Sequence, residues 1–249
     1  MKSRWLKWTL VVVAVALVAA VGGALWWALT PLGPTGRALA ALKSDTDVKV
    51  IETDLGYEFA PAEVPVNGGL IFYPGGRVDV RSYAPLCRRI AAKGHLVVLV
   101  RMPLSLAVFG TNRAAEVMAS HKEIGWWAIG GHSLGGAMAA SYAAKNPDAV
   151  KALMLYAAYA TGSADLKHTS VWVLDTFGSK DAVLNRENHA AGKQFMPPSY
   201  EEIVIHGGNH AQFGDYGPQP GDNEASITAS RQQQAAADAT ERTLQTVAP

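Results

Sequence analysis

The chain predicts an α/β domain, with a mostly parallel, twisted sheet carrying helices on both faces and little or no cap. Three observations lead there. Short, nearly unbroken apolar runs alternate with helical patterns, the signature of strands buried on both faces of a covered parallel sheet. At 249 residues the chain is long for an average domain but fits one α/β unit with a sizeable core. Finally, Gly131-His132-Ser133-Leu134-Gly135 sits between an apolar run and an alanine-rich stretch, where a strand turns sharply into a helix.

The elements follow in order. Residues 1–8 carry Lys2, Arg4 and Lys7, and residues 9–29 form an uncharged apolar run with Trp5 and Trp8 at one end and Trp26 and Trp27 at the other. At about 1.5 Å per residue this run reaches roughly 30 Å, so the expectation is a single-pass transmembrane anchor. The preceding positive charges predict a cytoplasmic N-terminus and an extracytoplasmic domain. The run exceeds the apolar core of a cleaved signal peptide, the competing reading. Residues 30–46, with Pro31, Gly33, Pro34 and Gly36, read as a juxtamembrane linker ending in a short helix, and residues 47–249 as the folded domain.

Within that domain, residues 48–53 and 57–61 predict a hairpin around Leu55-Gly56. Residues 69–73 predict a buried strand ending at Pro74-Gly75-Gly76, residues 83–93 an amphipathic helix stopped by Gly94, and residues 95–101 a β-branched strand. Then come a helix over 111–121, a strand over 126–130 and a helix over 135–145 closed before Pro147. Further strands are predicted at 151–156, 170–175 and 201–206, with a terminal helix over 225–244. Sites on such sheets lie at the carboxyl ends of the strands.

Composition narrows the partners. With 22 Lys plus Arg against 21 Asp plus Glu, no polyanion-binding surface is implied, which argues against nucleic acid. The single cysteine, Cys87, excludes an intrachain disulfide and a cysteine zinc cluster, and reads as a small buried side chain. No ligand cluster such as H-E-x-x-H is present, so neither a metal nor an organic cofactor is expected.

The pentapeptide carries chemistry. A serine on a strand-to-helix turn has its hydroxyl pushed toward solvent, in strained backbone geometry that leaves no room for side chains at 131 and 135. Such a serine needs an imidazole to take its proton, and the imidazole needs a carboxylate to fix its tautomer.

Together, the strand order, Ser133, Gly178-Ser179-Lys180-Asp181 and Gly207-Gly208-Asn209-His210 make residues 48–246 resemble the α/β-hydrolase superfamily, in its compact dienelactone-hydrolase-like branch. The resemblance implies nucleophile, acid and histidine after successive strands: Ser133, Asp181 and His210, with Asp175 as the alternative acid. Of the other histidines, His95 and His121 sit at element ends, His132 lies beside the nucleophile, His168 and His189 lie in polar loops, and His206 precedes the presenting loop. It also implies an oxyanion hole built from the Leu134 N–H and a second N–H from Pro74-Gly75-Gly76-Arg77, at Gly76 or alternatively Arg77.

Only residues 157–169 separate two strands where a substrate-selecting cap is usually inserted, so a shallow, uncapped site is expected. Leu104, Leu106, Val108 and Phe109 would suit an acyl group or would pack beneath their own loop. Asn112 either lines the site or stands at a helix N-terminus. The implied activity is cleavage of a small-molecule carboxylic ester or lactone through an acyl-enzyme. An acyltransferase and a silent, membrane-tethered binding module are the alternatives. The serine argues against the dehalogenase and epoxide-hydrolase chemistry of the superfamily, which uses an aspartate nucleophile.

Overall fold

A computed structural model describes residues 2–64, 66 and 68–249, excluding the side chains at 2, 3, 6, 24, 25 and 27–29. Among the described residues the apolar runs become eight strands: β1 (Val48–Thr53), β2 (Gly56–Pro61), β3 (Gly68–Tyr73), β4 (Leu96–Val100), β5 (Trp126–His132), β6 (Ala152–Tyr156), β7 (Trp172–Gly178) and β8 (Tyr200–Ile205). They form one sheet in the order β1-β2-β4-β3-β5-β6-β7-β8. β2 runs antiparallel to β1 and β4, and all other pairs are parallel. Every residue of β3, β4, β5 and β6 is buried, as unbroken apolar runs require when helices cover both faces.

The helices are α1 (Lys2–Leu29), α2 (Gly36–Ala40), α3 (Ala84–Ala91), α4 (Arg113–Ser120), α5 (Leu134–Lys145), α6 (Arg186–Gly192) and α7 (Ala229–Val247). On one face, Phe72 and Leu99 pack with Leu86 and Ile90 of α3 and Ala236 and Leu244 of α7. On the other, Ile71, Val98 and Ile129 pack with Val117 of α4 and Ala139 and Ala143 of α5. Burying each large aliphatic side chain contributes about 1.5–3 kcal/mol. Cys87 is buried in the α3 face, as its helical setting predicts.

The strand order reverses at β3: β4 lies on one side of it and β5 on the other. A crevice opens at the carboxyl ends of the strands at such a point. Tyr73 is in register with Gly131, so residues 74–77 and Ser133 leave the sheet side by side.

The N-terminal expectation is corrected. Residues 2–29 do form a helix, and its described side chains are all exposed. However, among the described residues no helix is long and apolar enough to cross a membrane. The transmembrane anchor over 9–29, the membrane partner and the extracytoplasmic placement of the domain are therefore withdrawn. Met1 and the side chains of Lys2 and Trp27, which the expectation also used, lie outside the described residues.

Other differences are local. The 83–93 helix is a 3₁₀ turn at Val80–Tyr83 followed by α3. β5 runs two residues further than expected, to His132, and β7 to Gly178, so Asp175 sits inside its strand rather than at the end. Residues 186–192, read as loop, are α6, capped by Asn185 accepting from the Asn188 N–H. Asn112 stands at the N-cap of α4. Residues 157–171 carry no helix or strand, so no cap covers this side of the sheet.

Candidate active site

Ser133 links β5 directly to α5, with φ 52° and ψ −121°. A non-glycine residue is strained there. Neighbouring atoms hold it: its N–H donates to the Tyr156 carbonyl at 3.0 Å, and its carbonyl accepts from Ala137 N–H at 3.1 Å. A Cβ at Gly131 would lie 2.6 Å from the Tyr73 carbonyl oxygen, and one at Gly135 would overlap the Tyr73 and Pro74 carbonyls. Only glycines let the start of α5 press this close to β3. Among the described residues, the other non-glycine residues at positive φ are Arg77, Leu104, Ser105 and Ala157; Arg77 and Ala157 follow the carboxyl ends of β3 and β6, and Leu104 and Ser105 lie in the loop after β4.

The acid turn and the histidine loop follow β7 and β8 and are cross-tied. Lys180 N–H donates to the Gly208 carbonyl at 2.8 Å. Asp222 accepts from Ala182 N–H at 3.2 Å and Ala211 N–H at 2.9 Å. Gln232 of α7 clamps the backbone of Asn209 with bonds of 3.0 and 2.7 Å.

Within this frame His210 Nδ1 meets Asp181 Oδ2 at 2.9 Å, and both side chains are almost fully buried. Asp181 Oδ1 accepts from Val183 N–H at 2.9 Å and Leu184 N–H at 2.8 Å. Donors thus converge on both carboxylate oxygens, and His210 carries its proton on Nδ1, leaving the Nε2 lone pair free. The His132 ring packs against His210 with centroids 4.5 Å apart, bringing the histidine loop to the turn that holds Ser133. No hydrogen bond joins Ser133 Oγ to His210 among the described residues; in unliganded hydrolases such bonds tighten when substrate binds.

The alternative acid is engaged elsewhere. Asp175 Oδ2 pairs with His189 Nε2 at 2.7 Å and accepts from the Tyr200 hydroxyl at 2.9 Å, and burial raises its pKa. Thus His189, read from the sequence as a loop residue, is a buried partner of Asp175 on α6. His95 pairs with Glu241 and His121 with Glu58, while His168 and His206 are exposed.

Among the donors of the 74–77 loop, Arg77 N–H is taken by the Ser105 carbonyl at 2.9 Å and Gly75 N–H by the Tyr83 hydroxyl at 3.0 Å. Gly76 N–H has no such partner among the described residues. A Cβ on Gly76 would lie 2.9 Å from Leu134 Cδ2 and 3.5 Å from Leu134 Cβ. Leu134 opens α5, where helix geometry leaves its N–H without an intrahelical partner. The two free amides therefore stand on adjoining residues beside Ser133.

Sequence reasoning missed Tyr83 and undervalued His132. The His132 ring is fully buried, and that burial, with a smaller push from His210, holds its pKa well below the usual histidine value. Only the adjacency of His132 to Ser133 was visible in the sequence.

A sequence model of the alpha/beta hydrolase family matches residues 69–234. The chain belongs to that family. Solved structures with the fold of this hydrolase include an esterase from Pyrobaculum calidifontis, with 18% identity, a TM-score of 0.61 and 85% of this chain covered against 90% of that one. Others are the dienelactone hydrolase of Anabaena variabilis, at 15% identity and TM-score 0.60 with 82% and 100% covered, and an esterase of the bacterial hormone-sensitive lipase family, at 13% and 0.63 with 84% and 88% covered. Against curated proteins, nothing matches this hydrolase.

Proposed function

We propose that this hydrolase cleaves carboxylic esters through an acyl-enzyme, with Ser133, His210 and Asp181 as its triad. The observation that carries this reading is the buried 2.9 Å bond from His210 to Asp181, with the His210 ring packed against the residue that precedes the strained Ser133. Ser133 Oγ attacks the ester carbonyl while its proton passes to His210 Nε2. The Leu134 and Gly76 N–H groups hold the carbonyl oxygen as it becomes an oxyanion. His210, now cationic and steadied by Asp181, returns the proton to the departing alkoxide, and the alcohol leaves. Water repeats the cycle, freeing the acid and Ser133. Members of the fold whose names describe esterases, and a dienelactone hydrolase, support ester or lactone cleavage.

The substrate is a small ester or lactone bound in an open site. Leu104, Val108 and Phe109 are 39%, 46% and 60% exposed, respectively, on the loop after β4. Leu106 Cδ2 would lie 3.6 Å from a Cβ at Gly76. This loop offers an apolar surface next to the proposed oxyanion hole, suited to a short acyl group.

A fluorophosphonate probe tests the reading: it labels the wild-type protein and fails on Ser133→Ala. Folded wild-type protein that stays unlabelled and leaves p-nitrophenyl acetate intact overturns it. Diversion of the acetyl group to an added alcohol, in preference to water, would assign acyl transfer instead.

A further inference from the structure

A buried relay runs from the loop after β3 to His210. Gly75 N–H donates to the Tyr83 hydroxyl at 3.0 Å, and that hydroxyl lies 2.8 Å from His132 Nδ1. The hydroxyl accepts from Gly75 and can give its one proton to His132 Nδ1, the arrangement that puts the His132 proton on Nε2, an atom with no hydrogen-bond partner among the described residues. The His132 ring then packs on His210 at 4.5 Å, and His210 bonds Asp181 at 2.9 Å. Each link is confined. Tyr83 lies among Phe72, His132 and Tyr216, with centroids 5.3, 5.7 and 6.4 Å away. Phe213 closes on His132 at 5.7 Å. A Cβ at Gly75 would sit 2.6 Å from the Tyr83 hydroxyl and 2.8 Å from His132 Nδ1, so this knot, rather than the turn, demands glycine at 75.

Resting on the proposed triad, we infer that His132 is a positioning residue that fixes the Gly75-Gly76 loop relative to His210. His132 comes from the strand that leads to Ser133, Tyr83 from the end of the 3₁₀ turn that leads into α3, and Gly75 from the loop offering the proposed second oxyanion amide. The Tyr83 hydroxyl anchors Gly75 N–H and so restrains the loop one residue before Gly76, which abuts Leu134. Interactions needed only as charge develops on the substrate oxygen act on turnover rather than on substrate binding.

Three variants test this. His132→Phe keeps a ring against His210 but loses the acceptor for Tyr83; Tyr83→Phe removes the donor; His132→Asn keeps an acceptor near the Nδ1 position. With p-nitrophenyl acetate, His132→Phe and Tyr83→Phe are expected to lower kcat about tenfold or more with KM unchanged, as loss of oxyanion alignment does. His132→Asn is expected to recover most of the kcat that His132→Phe loses. Thermal melting identifies any unfolded variant, and the remaining folded variants still carry the test. If folded His132→Phe or Tyr83→Phe keeps the wild-type kcat, or if KM alone changes, the positioning role is overturned while the triad stands. If the wild-type protein itself neither turns over substrate nor takes the fluorophosphonate, the triad reading fails and this role falls with it.

Discussion

At Ser133 a single residue combines strained backbone, the start of a helix and the carboxyl ends of the central strands. Within the proposed triad burial differs: Asp181 is wholly buried with donors on both oxygens, whereas Ser133 is half-buried. Replacing Asp181 with Asn is expected to lower kcat by about four orders of magnitude while the melting temperature changes little, since the shape is kept and the tautomer of His210 is not. A steady-state assay paired with a melt checks it. His132 makes a separate prediction about pH. Above the ordinary histidine pKa its ring is neutral in the folded and unfolded chains alike. Below that value the unfolded chain takes up a proton that the buried ring refuses, so stability falls as pH drops toward the depressed native value. Over that window the loss approaches about 1.4 kcal/mol per pH unit. Urea unfolding at pH 7.5 and pH 5.5 is expected to show a smaller loss for His132→Asn than for the wild type; equal losses would contradict it.

Among elements, the turn from β5 into α5 leaves no room for a side chain at Gly135. A methyl at Gly135 meets fixed backbone carbonyls, whereas one at Gly76 meets the flexible end of Leu134. Gly135→Ala is therefore expected to cost about 3 kcal/mol of stability, and Gly76→Ala about 0.5 kcal/mol or less while still lowering turnover. Chemical denaturation separates the two. The same scale explains what the sequence could and could not tell. Unbroken runs such as β4 and β6 were legible because burial on both faces leaves no polar position to confuse the pattern. α6 was not: seven residues, Arg186–Gly192, give barely two turns, and its signal is an Asn cap within a polar stretch. Missing α6 also hid His189, and with it the reason that Asp175 is engaged elsewhere.

Across the whole molecule, the segment before the sheet divides into two parts. The described side chains of α1 are exposed, but Leu32 bridges Val78, its N–H donates to Arg77, and its carbonyl accepts from Asp79. The chain at 30–35 thus braces the far side of the loop that holds Gly75 and Gly76. Removing residues 2–28 is expected to leave the melting temperature of the domain within a few degrees and its turnover intact; removing residues 2–35 is expected to lower both. Melts and p-nitrophenyl acetate turnover on the two truncated chains check this.

By itself the sequence determined the α/β class and the glycine-flanked serine turn, because periodicity and glycine placement are local properties that survive without a fold, while its resemblance to the α/β-hydrolase superfamily supplied the expected roles of Ser133, Asp181 and His210. Only the tertiary structure decided between neighbours. It paired His210 with Asp181 rather than Asp175, left Gly76 N–H free where Arg77 N–H is bonded, and set His132 against His210. These outcomes depend on side-chain direction and on which donor finds which acceptor across loops far apart in the chain, and no local pattern encodes either.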